Sequence, residues 1–174
     1  MRLSPDETAY LINLNGAEAR IMLDLTHEGA QTLFETSVSC IGGTVCQVGT
    51  RDSQGLLRAC VAAVREAGLP NGALPQIHIS GCPSSCGTHQ TGAMGFRGAS
   101  KLVDGKPQPA FTLFVGGDDR QGSETMGREL GVILEERIPA FLVEVGKAAS
   151  EKGFALWRET EPGALEAIAA GYLA

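Results

Sequence analysis

Ile79-Ser80-Gly81-Cys82-Pro83-Ser84-Ser85-Cys86-Gly87 answers an earlier stretch of the same chain, Cys40-Ile41-Gly42-Gly43-Thr44-Val45-Cys46. Four cysteines in two close pairs ask for a metal. Zinc sites favour two residues between paired cysteines, whereas here five lie inside the first pair and three inside the second. Iron and sulfur fit better, because a cubane 4Fe-4S cluster is wider than one zinc ion, takes a thiolate at each iron and tolerates longer loops rich in Gly and small residues. Buried structural thiols or two disulfides are the alternative, against an odd count of five cysteines and no sign of secretion.

The segment between the pairs explains how they could meet. Ser53 to Ala67 has a helical period, with Leu56, Leu57, Cys60, Val61 and Val64 on one face. Such a helix carries the chain out by about 22 Å. Gly68 and Pro70 stop it, 70–74 turns, and Gln76-Ile77-His78-Ile79-Ser80 alternates like a strand that returns roughly 17 Å.

Outward from this unit, Thr8 to Leu14 alternates like a strand, Ala17 to Leu25 reads as a helix, and Gln31 to Ser39 is expected to be extended, delivering Cys40 from a strand end. Beyond Cys86 a polar loop, Gly87 to Gly92, precedes a strand over Ala93 to Gly98. A hairpin turn is expected over Val103 to Lys106, and Ala110 to Val115 is the best strand of the second half. Helical signals dominate from Ser123: Glu124 to Leu130, Pro139 to Ser150 with Pro139 in the first turn, and Gly163 to Tyr172.

At 174 residues the chain can bury a core of its own without the metal. No apolar run suits a signal peptide or a membrane span, so a reducing cytoplasm is the expected compartment. The net charge of −6 argues against a nucleic-acid partner. Residues 38–101 nevertheless hold only Asp52 and Glu66 against Arg51, Arg58, Arg65, Arg97 and Lys101. Local positive charge would help hold an anionic cluster or the carboxylates of a porphyrin-type cofactor. Arg51, Arg97 and Lys101, which flank the cysteine loops, are the candidates for those carboxylates. Cys60, mid-helix on the apolar face, reads as core packing. His27 and His78 read as structural, while His89, three residues past Cys86, could reach a cofactor or substrate.

The cysteine pattern, with Ser80-Gly81-Cys82-Pro83-Ser84-Ser85-Cys86-Gly87 followed by Met94-Gly95-Phe96, resembles the sirohaem and 4Fe-4S region of the nitrite and sulfite reductases. Arg2-Leu3-Ser4-Pro5 and the segment after it resemble the start of that family's last ferredoxin-like lobe. Leu113-Phe114-Val115-Gly116-Gly117 resembles its glycine loop near the cofactor. The resemblance covers about residues 2 to 152. It departs at Ala93, where the family usually has Asp or Glu, and at Ser84, where Asn is common.

The resemblance implies that Cys40, Cys46, Cys82 and Cys86 ligate the cluster, with Cys86 bridging to the sirohaem iron, and that Ser84, Gly116 and Gly117 lie near the cofactor. The implied substrate is a small inorganic anion, nitrite or sulfite, and the implied donor a ferredoxin or a reductase subunit. The family's catalytic arginines and lysines lie largely in earlier lobes, which makes this chain look like a C-terminal part whose partner lobe or subunit supplies the rest. The expected fold is α+β, a mixed sheet bearing helices. Residues 1–37 would form part of a ferredoxin-like lobe, 38–152 the cluster and sirohaem domain, and 153–174 a C-terminal helical extension. Two other functions stay open: a cluster-only electron-transfer or interaction module, and a relative of precorrin-3B synthase acting on a tetrapyrrole.

Overall fold

The computed structural model describes residues 1–3 and 9–174. Its centre is a five-stranded mixed sheet in the order β3-β4-β5-β6-β7. The strands are β3 (Val38–Ser39), β4 (Ile77–Ser80), β5 (Met94–Val103), β6 (Lys106–Val115) and β7 (Arg128–Leu134). β3, β4 and β5 run parallel, and β6 and β7 are antiparallel additions. A separate two-stranded ladder joins β1 (Arg2–Leu3) to β2 (Ala9–Tyr10).

Helix α2 (Ser53–Glu66) is the crossover between β3 and β4. Asp52 caps it, accepting from the Gly55 N–H at 2.8 Å, and Gly68 ends it with a φ of +64°. Leu56, Cys60 and Val64 are buried, and Leu57 and Val61 pack at the edge of the same core. A β-α-β unit of this kind places the loops after both parallel strands at one end of the sheet. Those two loops carry the cysteine pairs.

Ile77 and Ile79, Met94 and Phe96, Phe111 and Leu113, and Ile133 supply one apolar sheet face. Against it pack α2 and α3 (Ile138–Ala149) through Phe141, Leu142 and Val145. The short helices α4 (Phe154–Thr160) and α5 (Ala164–Ala170) close the same core with Trp157 and Leu165. The residues alternating with these strand positions, among them His78, Ser80, Arg97, Thr112 and Phe114, belong to the opposite face. The chain between Cys86 and Ala93 crosses that face: Gly87 N–H bonds Ser80 Oγ at 3.1 Å, and the His89 ring lies 4.8 Å from that of Phe114.

The mixed α+β sheet with its helices is as the sequence implied, and some element boundaries are not. The expected helix over Glu124 to Leu130 is instead the approach to β7 and that strand's first three residues. The residues are locally good helix formers, but β6 presents an unpaired edge along Ala110–Val115, and β7 fills it. Gly127 also donates its N–H to Gln90 O at 2.7 Å, which ties the approach to the crossing loop. Of the strand expected over Thr8 to Leu14, Thr8 lies outside the described residues and only Ala9–Tyr10 pairs. Asn13 adopts a φ of +61°, which ends any alternation there. In Gln31 to Ser39 a 3-10 turn at Phe34–Thr36 buries Phe34, leaving Val38–Ser39 as the extended part.

Helix α1 (Gly16–Leu25) has no buried residue. It is held by a capping box, Asn15 Oδ1 accepting from Glu18 N–H at 3.0 Å and Glu18 Oε2 from Asn15 N–H at 2.9 Å. Tyr10, Leu11, Ile12, Ile21 and Leu25 are exposed around it. Among the described residues no helix is long and apolar enough to cross a membrane.

Candidate metal centre

The two cysteine loops are sewn together through backbone. Cys40 N–H donates to Ile79 O at 3.0 Å, continuing the β3-β4 ladder into the loops. Gly81 O then accepts from Thr50 N–H and Arg51 N–H, each at 3.1 Å, and from Thr50 Oγ1 at 2.7 Å. Arg51 O accepts from Gly43 N–H at 2.7 Å, closing the first loop on itself. Buried amides and carbonyls that find partners in this way hold both loops in one arrangement before any ligand arrives.

All five cysteines are free thiols, so the disulfide alternative does not describe this structure. Cys40, Cys46, Cys82 and Cys86 line one cavity of about 250 Å³ together with Ser84, Val48, Gly42, Gly49 and Gly81. Cys82 is buried, Cys40 and Cys46 are half-buried, and Cys86 is exposed. Among the described residues no three Cys, His, Asp or Glu side chains converge on a single-ion position. Four thiols lining one cavity are a donor set that suits a thiolate-ligated metal group. Hydrogen bonds from Ser84, side chain first and then backbone, hold the Cys82 thiol below its ordinary range.

Of the other expected site residues, Ser84 lies in the cavity wall and the rest do not. His89 is 1% exposed, with Nδ1 buried and unpartnered. Burial, with a contribution from the Arg97 charge, lowers its pKa to about 4. Arg97 stacks 5.0 Å over Phe114 and reaches Glu129 at 3.3 Å. Lys101 lies on the β5-β6 hairpin, which projects past the paired part of β4, and bonds the carbonyl of Ala174. Gly116 and Gly117 follow β6 beside the start of β5: Gly116 donates its N–H to Ala93 O, Gly117 packs on Thr91 and Gly92, and both line a different cavity with Asp118 and Asp119. Arg51 serves the loops through its backbone, while its Nε is buried without a partner.

Two residues carry more than their sequence neighbourhood suggests. Ser53, wholly buried at the start of α2, donates from Oγ to Cys40 O at 2.7 Å and lies 3.2 Å from Cys40 Sγ. The sequence signal for it was only a polar residue beside a helix cap. His78 places Nδ1 2.8 Å from Thr88 Oγ1 and Nε2 3.7 Å from Asp119, bracing the crossing loop against the glycine loop. Burial lowers its pKa, partly offset by Asp119.

No family model matches the chain. It is 30% identical over 107 residues to the ferredoxin–nitrite reductase of Leptolyngbya laminosa, which covers 62% of this chain and 20% of that protein. It is 30% identical over 122 residues to the ferredoxin–nitrite reductase of Synechococcus elongatus, covering 67% and 24%. Its fold is similar to that of the Mycobacterium tuberculosis NirA protein, with a TM-score of 0.73 at 18% identity, over 96% of this chain and 33% of the other. The chain belongs to the nitrite and sulfite reductase family. Within the nitrite and sulfite reductases it spans about a fifth to a quarter of the curated relatives it matches.

Proposed function

We propose that Cys40, Cys46, Cys82 and Cys86 hold a 4Fe-4S cluster and that the chain is the cluster-carrying part of an oxidoreductase reducing nitrite or sulfite. One observation carries the reading: four thiols, brought from two parallel strand ends, line one cavity. When bound, such a cluster supplies electrons one at a time to a reaction that consumes several. The chain's own part is positional. The bonds to Gly81 O and Arg51 O set the two loops against each other. Cys86 is the exposed thiol, which suits a sulfur shared with a sirohaem iron.

His89, Arg97 and Lys101 turn away from the cavity or are engaged elsewhere. That favours a second reading for the chain by itself, a module that holds the cluster while a further lobe or subunit completes the sirohaem and anion sites. The apolar side chains exposed along residues 10–25 support such a partner. A ferredoxin as donor follows from the relatives' names, which also favour a reductase over a precorrin-3B synthase.

The test is anaerobic reconstitution with iron and sulfide, followed by absorption and by iron and sulfide assays on the same sample. Four iron and four sulfide per chain are expected in a cubane. Cys82→Ser and Cys86→Ser should lose them. Added sirohaem then separates the two readings: tight uptake supports the complete site, and none supports the module. One zinc per chain, or no metal, sinks the cluster assignment.

A further inference from the structure

The four thiols are not equivalent. Cys86 Sγ has the Ser84 carbonyl 3.9 Å away, an acceptor that a thiolate cannot bond. Cys40 Sγ accepts from the Gly81 N–H at 3.1 Å and lies 3.2 Å from the Ser53 hydroxyl oxygen. In the free thiol the bonds form a short chain, S–H to Ser53 Oγ and Ser53 O–H to Cys40 O at 2.7 Å. Metal ligation removes the sulfur proton. The single hydrogen left on Ser53 Oγ then lies between a neutral carbonyl and an anionic sulfur, and the charged acceptor draws the stronger bond. If that hydrogen stayed on the carbonyl, the Oγ lone pairs would face the thiolate inside a buried site.

We propose that Ser53 is a positioning residue for Cys40: its hydroxyl turns toward the ligating sulfur, joins the Gly81 N–H there and raises the cluster's reduction potential. The proposal rests on the four-thiolate cluster reading. Reduction adds negative charge to the cluster sulfurs, so donors aimed at one of them favour the reduced state. The fold leaves little freedom for Ser53 to do otherwise. It is wholly buried, begins α2 directly behind the first cysteine loop, and a Cβ on Gly42 would stand only 2.8 Å from its Oγ.

A purely structural Ser53, holding only the Cys40 carbonyl, predicts lost stability and an unchanged potential. The experiment therefore reads the metal. Full-length wild type, Ser53→Ala and Ser53→Thr are loaded anaerobically and titrated for cluster reduction. Fe–S(Cys) stretching frequencies are recorded in H2O and D2O. The expected result is a lower midpoint for Ser53→Ala with part of the deuterium shift lost, and wild-type behaviour for Ser53→Thr, which keeps the hydroxyl. Ser53→Gly repeats the deletion if the Ala variant does not load. Wild-type midpoint and deuterium shift in a loaded Ala or Gly variant would overturn the role of Ser53 alone. A wild-type chain that takes up no cluster would overturn the reading beneath it as well.

Discussion

Replacing Gly95 by Ala should unseat the second cysteine loop. The added Cβ would overlap the carbonyl oxygen of His89 and stand 2.7 Å from its carbonyl carbon and 3.0 Å from its Cα. Ordinary carbon contacts sit at about 3.5–4.0 Å, so the crossing loop would have to retreat by about 1 Å. The opposing atoms are backbone, and no side chain can swing aside. Overpacking of this kind costs about 1–3 kcal/mol, and a clash between two backbones belongs at the upper end. For a chain of 174 residues that corresponds to a Tm lower by roughly 6–12 °C at about 2–4 °C per kcal/mol. Cys86 lies three residues before His89, and metal–ligand distances hold within about 0.2 Å. A loop displaced by several times that margin should release metal. Thermal unfolding of the reduced, metal-free chain gives the first number, and iron retained after desalting gives the second. Gly16→Ala is the control, since nothing lies within 4 Å of its Cβ. A Gly95→Ala chain with wild-type Tm and wild-type iron would refute the close approach of loop and strand.

His89 predicts a pH dependence in the metal-free chain. Its folded pKa of about 4 lies below the ordinary 6.5, so the folded state resists a proton that the unfolded state accepts. The stabilisation is complete above pH 6.5 and is lost as pH falls to about 4, amounting to about 3 kcal/mol. Urea midpoints at pH 7 and pH 5 should differ in wild type and differ less in His89→Leu, and parallel curves would contradict this. Cys60 is wholly buried, and burial pushes its thiol far up, so iodoacetamide should label the exposed Cys86 and the half-buried Cys40 and Cys46 of the native metal-free chain and spare Cys60 until denaturant is added. Cys60→Ala should leave iron uptake unchanged, and lost uptake would make that thiol part of the site.

What could be read without the fold was whatever depends on near neighbours. Two cysteine pairs at unequal spacing argued against a simple zinc site, and an apolar face over Leu56, Cys60 and Val64 followed by the alternation at Ile77 and Ile79 marked a helix leading out and a strand returning. Those local periods predicted that the two cysteine pairs could meet, and the parallel pairing of β3 with β4 puts both loops at one end of the sheet. Long-range pairing decided the rest. Glu124 to Leu130 carries helical propensity, yet β6 offered an open edge and Arg128–Leu134 became a strand. The four charged or polar candidates flanking the cysteines share a sign or a neighbourhood in sequence, but their directions depend on partners far along the chain. Glu129 and Phe114 take Arg97, Ala174 takes Lys101, the sheet covers His89, and Gly81 and Gly43 use the backbone of Arg51. Ser53 shows the division most clearly: its place at a helix start is legible in sequence, whereas its hydroxyl meets Cys40 only because the first cysteine loop closes, Gly43 N–H on Arg51 O, and brings the start of α2 back to the strand end.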